Sequence, residues 1–313
     1  MQKILITGAN GFIGQSLLPK LRSMELEIHT LNLPESTHKK SEKNTFKVHY
    51  ADLRDYETVN KIIRDVSPEC VIHLAGITSV AKSYEDYNNT MHINYSATVN
   101  LAEACRKQGN LTHFISVGSS EEYGSALKNR EQKITENTIL NPVSPYAVSK
   151  VNANTYLQYM GLVYDFPYTI IRPFNTYGRK DNNAFFIEKT ISHMLKSDQD
   201  IPLGNPSLIR DWLYVDDHVN GYIKALGNKA AIGQVIQFAT GMGHSIRETV
   251  EMITDMTHFK GKILWEAIPK RPFEANIMIG DNSKAKKLLG WEPKYDLKQG
   301  LEKTIAFWKG LFK

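Results

Sequence analysis

Cysteine is scarce in this chain: its 313 residues hold only Cys70 and Cys105, each in an apolar stretch and neither in a C-x-x-C pair. Without a histidine cluster at ligand spacing, both a disulfide framework and a structural zinc site are excluded, and no metal is expected. Long apolar runs are missing too. None approaches the ~18 residues that a membrane helix requires, so no membrane partner is expected. The opening "MQKILITG" enters a strand pattern at once, without the apolar run and cleavage site of a leader, and reads as soluble and cytoplasmic. In that compartment the sequon "NYS" at 94–96 carries no sugar. Charge of one sign is also lacking: 38 Lys and Arg stand against 33 Asp and Glu, without long blocks. A net charge of +5 suits an anionic small ligand better than a nucleic-acid groove, and lysine-rich "KAKKLLG" (284–290) reads as a solvated helix face.

What the chain does have is 42% hydrophobic residues and enough length for a sizeable core. Short β-branched runs recur: "KILIT" from Lys3, "EIHTLN" from Glu27, "FKVHYA" from Phe46, "CVIHLAG" from Cys70, "HFISVG" from His113 and "YTIIRPF" from Tyr168. Between them lie helical patterns, at Gly11 to Ser23, Tyr56 to Asp65, Met91 to Gln108 and Pro145 to Val163. Such alternation predicts an α/β fold of the Rossmann type, a doubly wound parallel sheet covered on both faces. Residues 1–172 are expected to form this dinucleotide-binding domain, and 173–313 mainly a smaller α/β lobe for substrate, with part of 212–240 returning to the main sheet. Ligands of open α/β sheets bind at the carboxyl ends of the strands, where the lobe would close.

"ILITGANGFIG" sets Gly8, Gly11 and Gly14 directly after the first strand and at the start of a helix. Glycines there allow a tight turn and close approach of backbone to a pyrophosphate, whose charge rests on the helix N-terminus. The second strand ends in Asn32, where NAD-binding chains carry an acid; a neutral amide can bond a ribose hydroxyl without repelling a 2′-phosphate, which leaves NAD and NADP both open. Asp52 and Leu53 end the third strand and suit an adenine pocket, the alternative for Asp52 being the cap of the helix that follows.

"SVGSSEEYG" (116–124) is crowded with polar chemistry where a buried strand runs out, and "NPVSPYAVSK" places Tyr146 and Lys150 four apart on one helix face. The lysine charge is expected to lower the phenol's pKa, so that Tyr146 exchanges a proton near neutrality. If the strand continues, Glu121 shares the side of Ser119. Tyr123 and Gly124 read as turn formers, and Glu122 as either a solvent or salt-bridge group or a substrate contact.

Taken in order, "TGANGFIG", "DLRD", "VIHLAG", "NYSATVNLAEAC", "GSSEEYG", "PYAVSK", "RPFNTYG", "RDWLYVDD" and "GDNSKAKKLLGWEP" resemble the extended short-chain dehydrogenase/reductase superfamily, in its NAD-dependent epimerase/dehydratase branch, over nearly the whole chain. The resemblance implies an NAD or NADP cofactor held by Gly8, Asn10, Gly11, Phe12, Ile13, Gly14, Asn32, Asp52, Leu53, Leu74, Ala75 and Gly76 together with Tyr146 and Lys150. It implies Ser119 as the hydroxyl on the sugar O4, Tyr146 as acid/base and Lys150 on the nicotinamide ribose, for hydride transfer at a hexose C4. Glu121 matches the base that removes the C5 proton in nucleotide-sugar 4,6-dehydratases, yet "GSSEEYG" is also similar to the GDP-4-keto-6-deoxymannose reductases. A 4-epimerase stays open as well. Asn175, Arg210 and Arg271 match positions that hold the sugar diphosphate, and "RPFE" with the segment after it is similar to GDP-mannose dehydratases, which favours a GDP-sugar. Arg210 paired with Asp211 or Asp216 is the structural alternative, and Arg179 and Lys180 read as solvated loop charges. The resemblance further implies a homodimer through a four-helix bundle, with Tyr95, Val99, Tyr156 and Tyr159 at the interface, against internal packing of the same residues. A non-catalytic dinucleotide-binding protein would be expected to lose Ser119, Tyr146 or Lys150, and all three are present.

Overall fold

The computed structural model describes residues 2–34, 46–127, 129, 131–180, 182–269 and 272–312. In chain order its strands are β1 (Gln2–Thr7), β2 (Leu26–Asn32), β3 (Lys47–Tyr50), β4 (Cys70–His73), β5 (His113–Val117), β6 (Tyr168–Pro173), β7 (Asn175–Tyr177), β8 (Ile201–Pro202), β9 (Ile209–Tyr214), β10 (Gln234–Phe238), β11 (Gly243–Ser245), β12 (Ile263–Leu264) and β13 (Ile277–Met278). The helices are α1 (Phe12–Leu21), α2 (Tyr56–Val66), α3 (Val80–Glu85), α4 (Tyr87–Met91), α5 (Ala97–Gln108), α6 (Pro145–Tyr164), α7 (Phe186–Lys196), α8 (Val215–Ala225), α9 (Ile246–Thr257), α10 (Ser283–Leu289) and α11 (Leu297–Leu311).

Seven strands form one parallel sheet in the order β10-β6-β5-β4-β1-β2-β3. Its central strands are buried on both faces, which is why they read as unbroken apolar runs. Leu17, Leu18 and Leu21 of α1 and Val219, Tyr222 and Ala225 of α8 pack on one face. Val59 and Ile63 of α2, Leu101 and Cys105 of α5, and Leu157 and Met160 of α6 pack on the other. Both cysteines are buried and free. The strand order reverses between β1 and β4, and the crevice above this switch point is where such a sheet takes its ligand.

Most helices begin at side-chain caps. Ser144 accepts from the Ala147 N–H at 3.1 Å with Pro145 at the first helical position of α6. At α2 the cap is Asp55, which accepts from the Thr58 N–H at 3.2 Å, and not Asp52. The single helix expected from Met91 to Gln108 is broken into α4, a π-helical turn at His92–Ser96, and α5. In the second lobe β9 pairs antiparallel with β11 and parallel with β13 and β7, while β8 and β12 pair apart. A third apolar cluster, which includes Tyr123, Phe174, Ile209 and Met278, joins this sheet to the ends of β5 and β6.

Candidate active site

The loop after β1 is a cradle that side chains would fill. Gly8 has φ +68°, and a Cβ on it would lie 2.6 Å from the Ala75 nitrogen; a Cβ on Gly14 would lie 2.4 Å from the Ala9 carbonyl oxygen. Gly11 caps α1, its N–H donating to the Gly8 oxygen at 2.9 Å, so Phe12 and Ile13 open the helix with their amides unspent on it. Asn32 braces the loop: its Oδ1 accepts from the Asn10 N–H at 3.3 Å and its Nδ2 donates to Thr30 Oγ1 at 3.4 Å. Beyond β4, the Leu74 N–H donates to the Thr7 carbonyl at 3.1 Å and the Ala75 N–H to the Thr7 hydroxyl at 3.2 Å. Leu53 is buried and Asp52 is gripped by the Arg54 guanidinium, which holds its carboxyl below the usual range. These residues fit a dinucleotide, with the diphosphate at the α1 N-terminus. Lys39 and Lys40, downstream of Asn32, lie outside the described residues.

The polar strand end is not strand. After Val117 the chain turns at Gly118 into a 3-10 turn at Ser120–Tyr123 capped by Ser119, whose Oγ accepts from the Glu121 N–H at 3.2 Å. The alternation that placed Glu121 beside Ser119 therefore does not apply. Glu121 instead lines the cleft with Val80, Tyr84, Ser144, Arg210 and Glu274, and its charge reaches Tyr146. Glu122 turns inward and is fully buried: its carboxylate accepts from the Ser119 N–H at 2.7 Å, Asn154 Nδ2 at 2.8 Å and Arg172 Nε at 2.8 Å. Tyr123 is more than a turn former, since its hydroxyl accepts from Arg172 Nη1 at 3.0 Å and Gln237 Nε2 at 2.8 Å.

Tyr146 and Lys150 sit on the first turns of α6, both buried. The Ser119 hydroxyl is near enough to the Tyr146 phenol to pull its pKa down. Lys150 Nζ donates to the Val117 carbonyl at 3.0 Å, and a Cβ on Gly76 would lie 3.4 Å from it, so the amine stands between strand end and cofactor cradle. The expected lowering of the phenol's pKa by Lys150 is corrected here. Burial pushes the phenol up, the charges of Glu121 and Glu122 push it further, and the Ser119 hydroxyl only partly offsets them. Burial also lowers the Lys150 amine to about 8, opposed by the Glu122 carboxylate.

Asn94 is a residue that helical periodicity concealed. The π-turn throws its amide inward, where Oδ1 accepts from the Ile77 N–H at 2.8 Å and Nδ2 donates to the Ile77 carbonyl at 3.1 Å and to Ser149 Oγ at 2.9 Å. Beside it a buried chain runs from the Thr7 hydroxyl through His73 to the Thr98 hydroxyl, at 2.7 and 2.9 Å. His73 stays neutral, lowered to about 3 by burial.

Of the expected diphosphate ligands, Arg210 reaches the cleft wall. It is paired with Glu274 at 3.7 Å, whereas Asp211 accepts from Thr240, Gly241 and Gly280, and Asp216 pairs with Lys20. Asn175 is half-buried on β7, and Arg271 lies outside the described residues. Arg179 is no solvated loop charge, being 11% exposed and held between aromatic rings.

Compared with known proteins, residues 5–304 match the family described as GDP-mannose 4,6 dehydratase. The chain belongs to this family. It is an extended short-chain dehydrogenase/reductase, a nucleotide-sugar-modifying enzyme with NAD or NADP as cofactor. Relatives within reach of it run several reactions. GDP-6-deoxy-D-mannose reductase of Pseudomonas aeruginosa is 26% identical over 98% of this chain and 97% of its own. UDP-glucose 4-epimerase of Mycolicibacterium smegmatis is 31% identical over 98% of each. The solved Thermus thermophilus UDP-glucose 4-epimerase in complex with NAD superposes with a TM-score of 0.90 at 25% identity, over 99% of each chain. Among the described residues of this family member no group of His, Cys, Asp and Glu could hold a metal, and no helix is long and apolar enough to cross a membrane.

Proposed function

We propose that the protein is a GDP-hexose 4,6-dehydratase acting through C4. The observation that carries this reading is a carboxylate in the cleft: Glu121 lines it together with Arg210 and Glu274 and is close enough to press on the Tyr146 phenol electrostatically. When bound, the nicotinamide would take hydride from C4 and give it back at C6 once water has left, C5 regaining a proton, so that the cofactor is regenerated. Tyr146 takes the O4 proton, Ser119 donates to O4, and Lys150 binds the cofactor's ribose. Glu121 then removes the proton at C5, acidic beside a C4 ketone, so that the C6 hydroxyl leaves as water. Arg210, with Asn175 and Arg271, holds the diphosphate, displacing the contact to Glu274.

A 4-keto-6-deoxyhexose reductase is the second reading, favoured by the end-to-end likeness to the P. aeruginosa reductase. It uses the same Ser119, Tyr146 and Lys150 and needs no C5 base. Incubation with GDP-, UDP- and dTDP-hexoses, without added reduced cofactor, decides between them by product mass. Loss of one water from a GDP-hexose is the expected result, abolished by Glu121→Gln; an unchanged mass with every donor, and consumption of NAD(P)H with a 4-keto-6-deoxy sugar, replaces the dehydratase by the reductase. Tyr146→Phe lowers turnover by roughly a hundred- to ten-thousandfold under either reading.

The protein also acts as a homodimer, in this proposal, through α5 and α6. Tyr159 and Val163 of α6 are 42% and 53% exposed, and the rings of Tyr95, Tyr156 and Tyr159 continue in a row across the helix pair. Sedimentation as a monomer at micromolar concentration would remove this part.

A further inference from the structure

Glu122 is fully buried and so offers no surface to a substrate, yet it bonds to both elements that carry the groups expected on the sugar O4. Asn154 stands one turn beyond Lys150 on the face of α6 that holds Tyr146 and Lys150. This stripe lies along the end of β5 step by step. Tyr146 has the Ser119 hydroxyl near it, Lys150 Nζ donates to the Val117 carbonyl at 3.0 Å, and Asn154 Nδ2 donates to Glu122 Oε1 at 2.8 Å. The same Oε1 accepts from the Ser119 N–H at 2.7 Å, so one oxygen joins the backbone of Ser119 to the helix of Tyr146. On the other side Oε2 accepts from Arg172 Nε at 2.8 Å, which ties in β6. These partners are all donors, as an ionised carboxylate requires. The packing leaves no slack: a Cβ on Gly118 would lie 2.5 Å from Oε1 and 2.8 Å from Asn154 Nδ2. Ser119 Oγ meanwhile accepts from the Glu121 N–H at 3.2 Å, which uses a lone pair and leaves the hydroxyl proton to donate.

We propose that Glu122 is a positioning residue for the catalytic groups: by pinning the end of β5 to α6, its carboxylate sets Ser119 against Tyr146. The proposal rests on the reading of Ser119 and Tyr146 as the groups on the sugar O4, which the dehydratase and the reductase share. A buried ion pair adds little stability over apolar packing, because desolvation of both charges offsets their attraction. Its use here is geometric, and a displacement of about 1 Å at a reacting group costs about a hundredfold in rate.

The test separates the pin from the charge. Removing Glu122 alone strands the Arg172 guanidinium, so both residues are changed. Glu122→Leu, Arg172→Met loses the acceptor, whereas Glu122→Gln, Arg172→Met keeps an amide oxygen for Ser119 and Asn154. Asn154→Leu leaves the Glu122–Arg172 pair whole and cuts only the tie to α6, which keeps the proposal open to refutation where a double variant does not fold. Turnover is read with whichever sugar the wild type converts, by loss of water or by consumption of NAD(P)H. Failure of the sugar chemistry therefore shows in the wild type, and failure of the pin only among the variants. Expected is a kcat about ten- to a hundredfold lower in the leucine double variant and in Asn154→Leu, with KM and cofactor affinity within about twofold of wild type. The glutamine double variant is expected to turn over at least about threefold faster than the leucine one. Equal kcat in the two double variants, or a folded Asn154→Leu with kcat within about twofold of wild type, overturns the proposal and leaves Glu122 a packing residue.

Discussion

Replacing Lys150 by methionine separates the cost of burying a charge from its use. The side chain is 5% exposed, and burial brings its amine from the ordinary 10.5 down to about 8. A drop of that size amounts to about 3 kcal/mol against the charged form in the folded state. Its sign follows from linkage: with a folded pKa below the unfolded one, the group's contribution is most favourable above the unfolded value and is lost as pH falls through about 8. Near neutrality the wild type therefore bears the whole penalty. Methionine keeps an unbranched stem of similar reach and carries no charge. Against its gain stands the donation to the Val117 carbonyl, 3.0 Å long and worth about 1 kcal/mol. The cofactor-free variant is expected to be about 1–2 kcal/mol more stable than wild type near pH 7 and slightly less stable above the unfolded pKa. Urea unfolding of both proteins at about pH 7 and about pH 10, with equal slopes, measures the gap at each. A gap that stays constant between the two, or a variant less stable at neutrality, refutes the reasoning. On the proposed role of Lys150, turnover is expected to be lost in the same variant, which would make it a residue kept for function at a cost in stability.

Two further changes probe the supports of the site. Glu122→Ala leaves the Arg172 guanidinium, 3% exposed, without its carboxylate and frees the Ser119 amide; a loss of about 3–5 kcal/mol in urea unfolding is expected, and one under about 1 kcal/mol would show the pair to be dispensable. Gly14→Ala drives a methyl to 2.4 Å from the Ala9 carbonyl oxygen, and the backbone has to open the cradle to admit it. Calorimetric titration with ADP-ribose should find binding weakened at least about tenfold, and unchanged affinity would mean that α1 does not carry the diphosphate.

Legibility in the sequence followed how local each feature's cause is. The central strands could be read because burial on both faces leaves unbroken apolar runs, and the glycine loop because its glycines are demanded by contacts within the same turn. Glu121 and Glu122 could not be sorted. Strand alternation fails once the chain leaves β5, and what draws Glu122 inward is Arg172, fifty residues later, which is where its hydrogen bond to Nε is made. Asn94 was hidden because a π-turn shifts the helical face by one residue without altering composition. The sign of the Tyr146 shift was missed for a related reason: spacing shows a lysine one turn away but not the burial that outweighs it. Arg210 found Glu274 and Arg179 found Phe12, partners that no window along the chain contains. A charged side chain such as Arg179 reads as solvated until the fold brings it a partner, so the least legible residues are those whose partners lie far along the chain. The glycine cradle has its cause within its own turn and was legible, whereas the pairs of Arg179, Arg210 and Glu122 are made across long stretches of chain and came only with the fold.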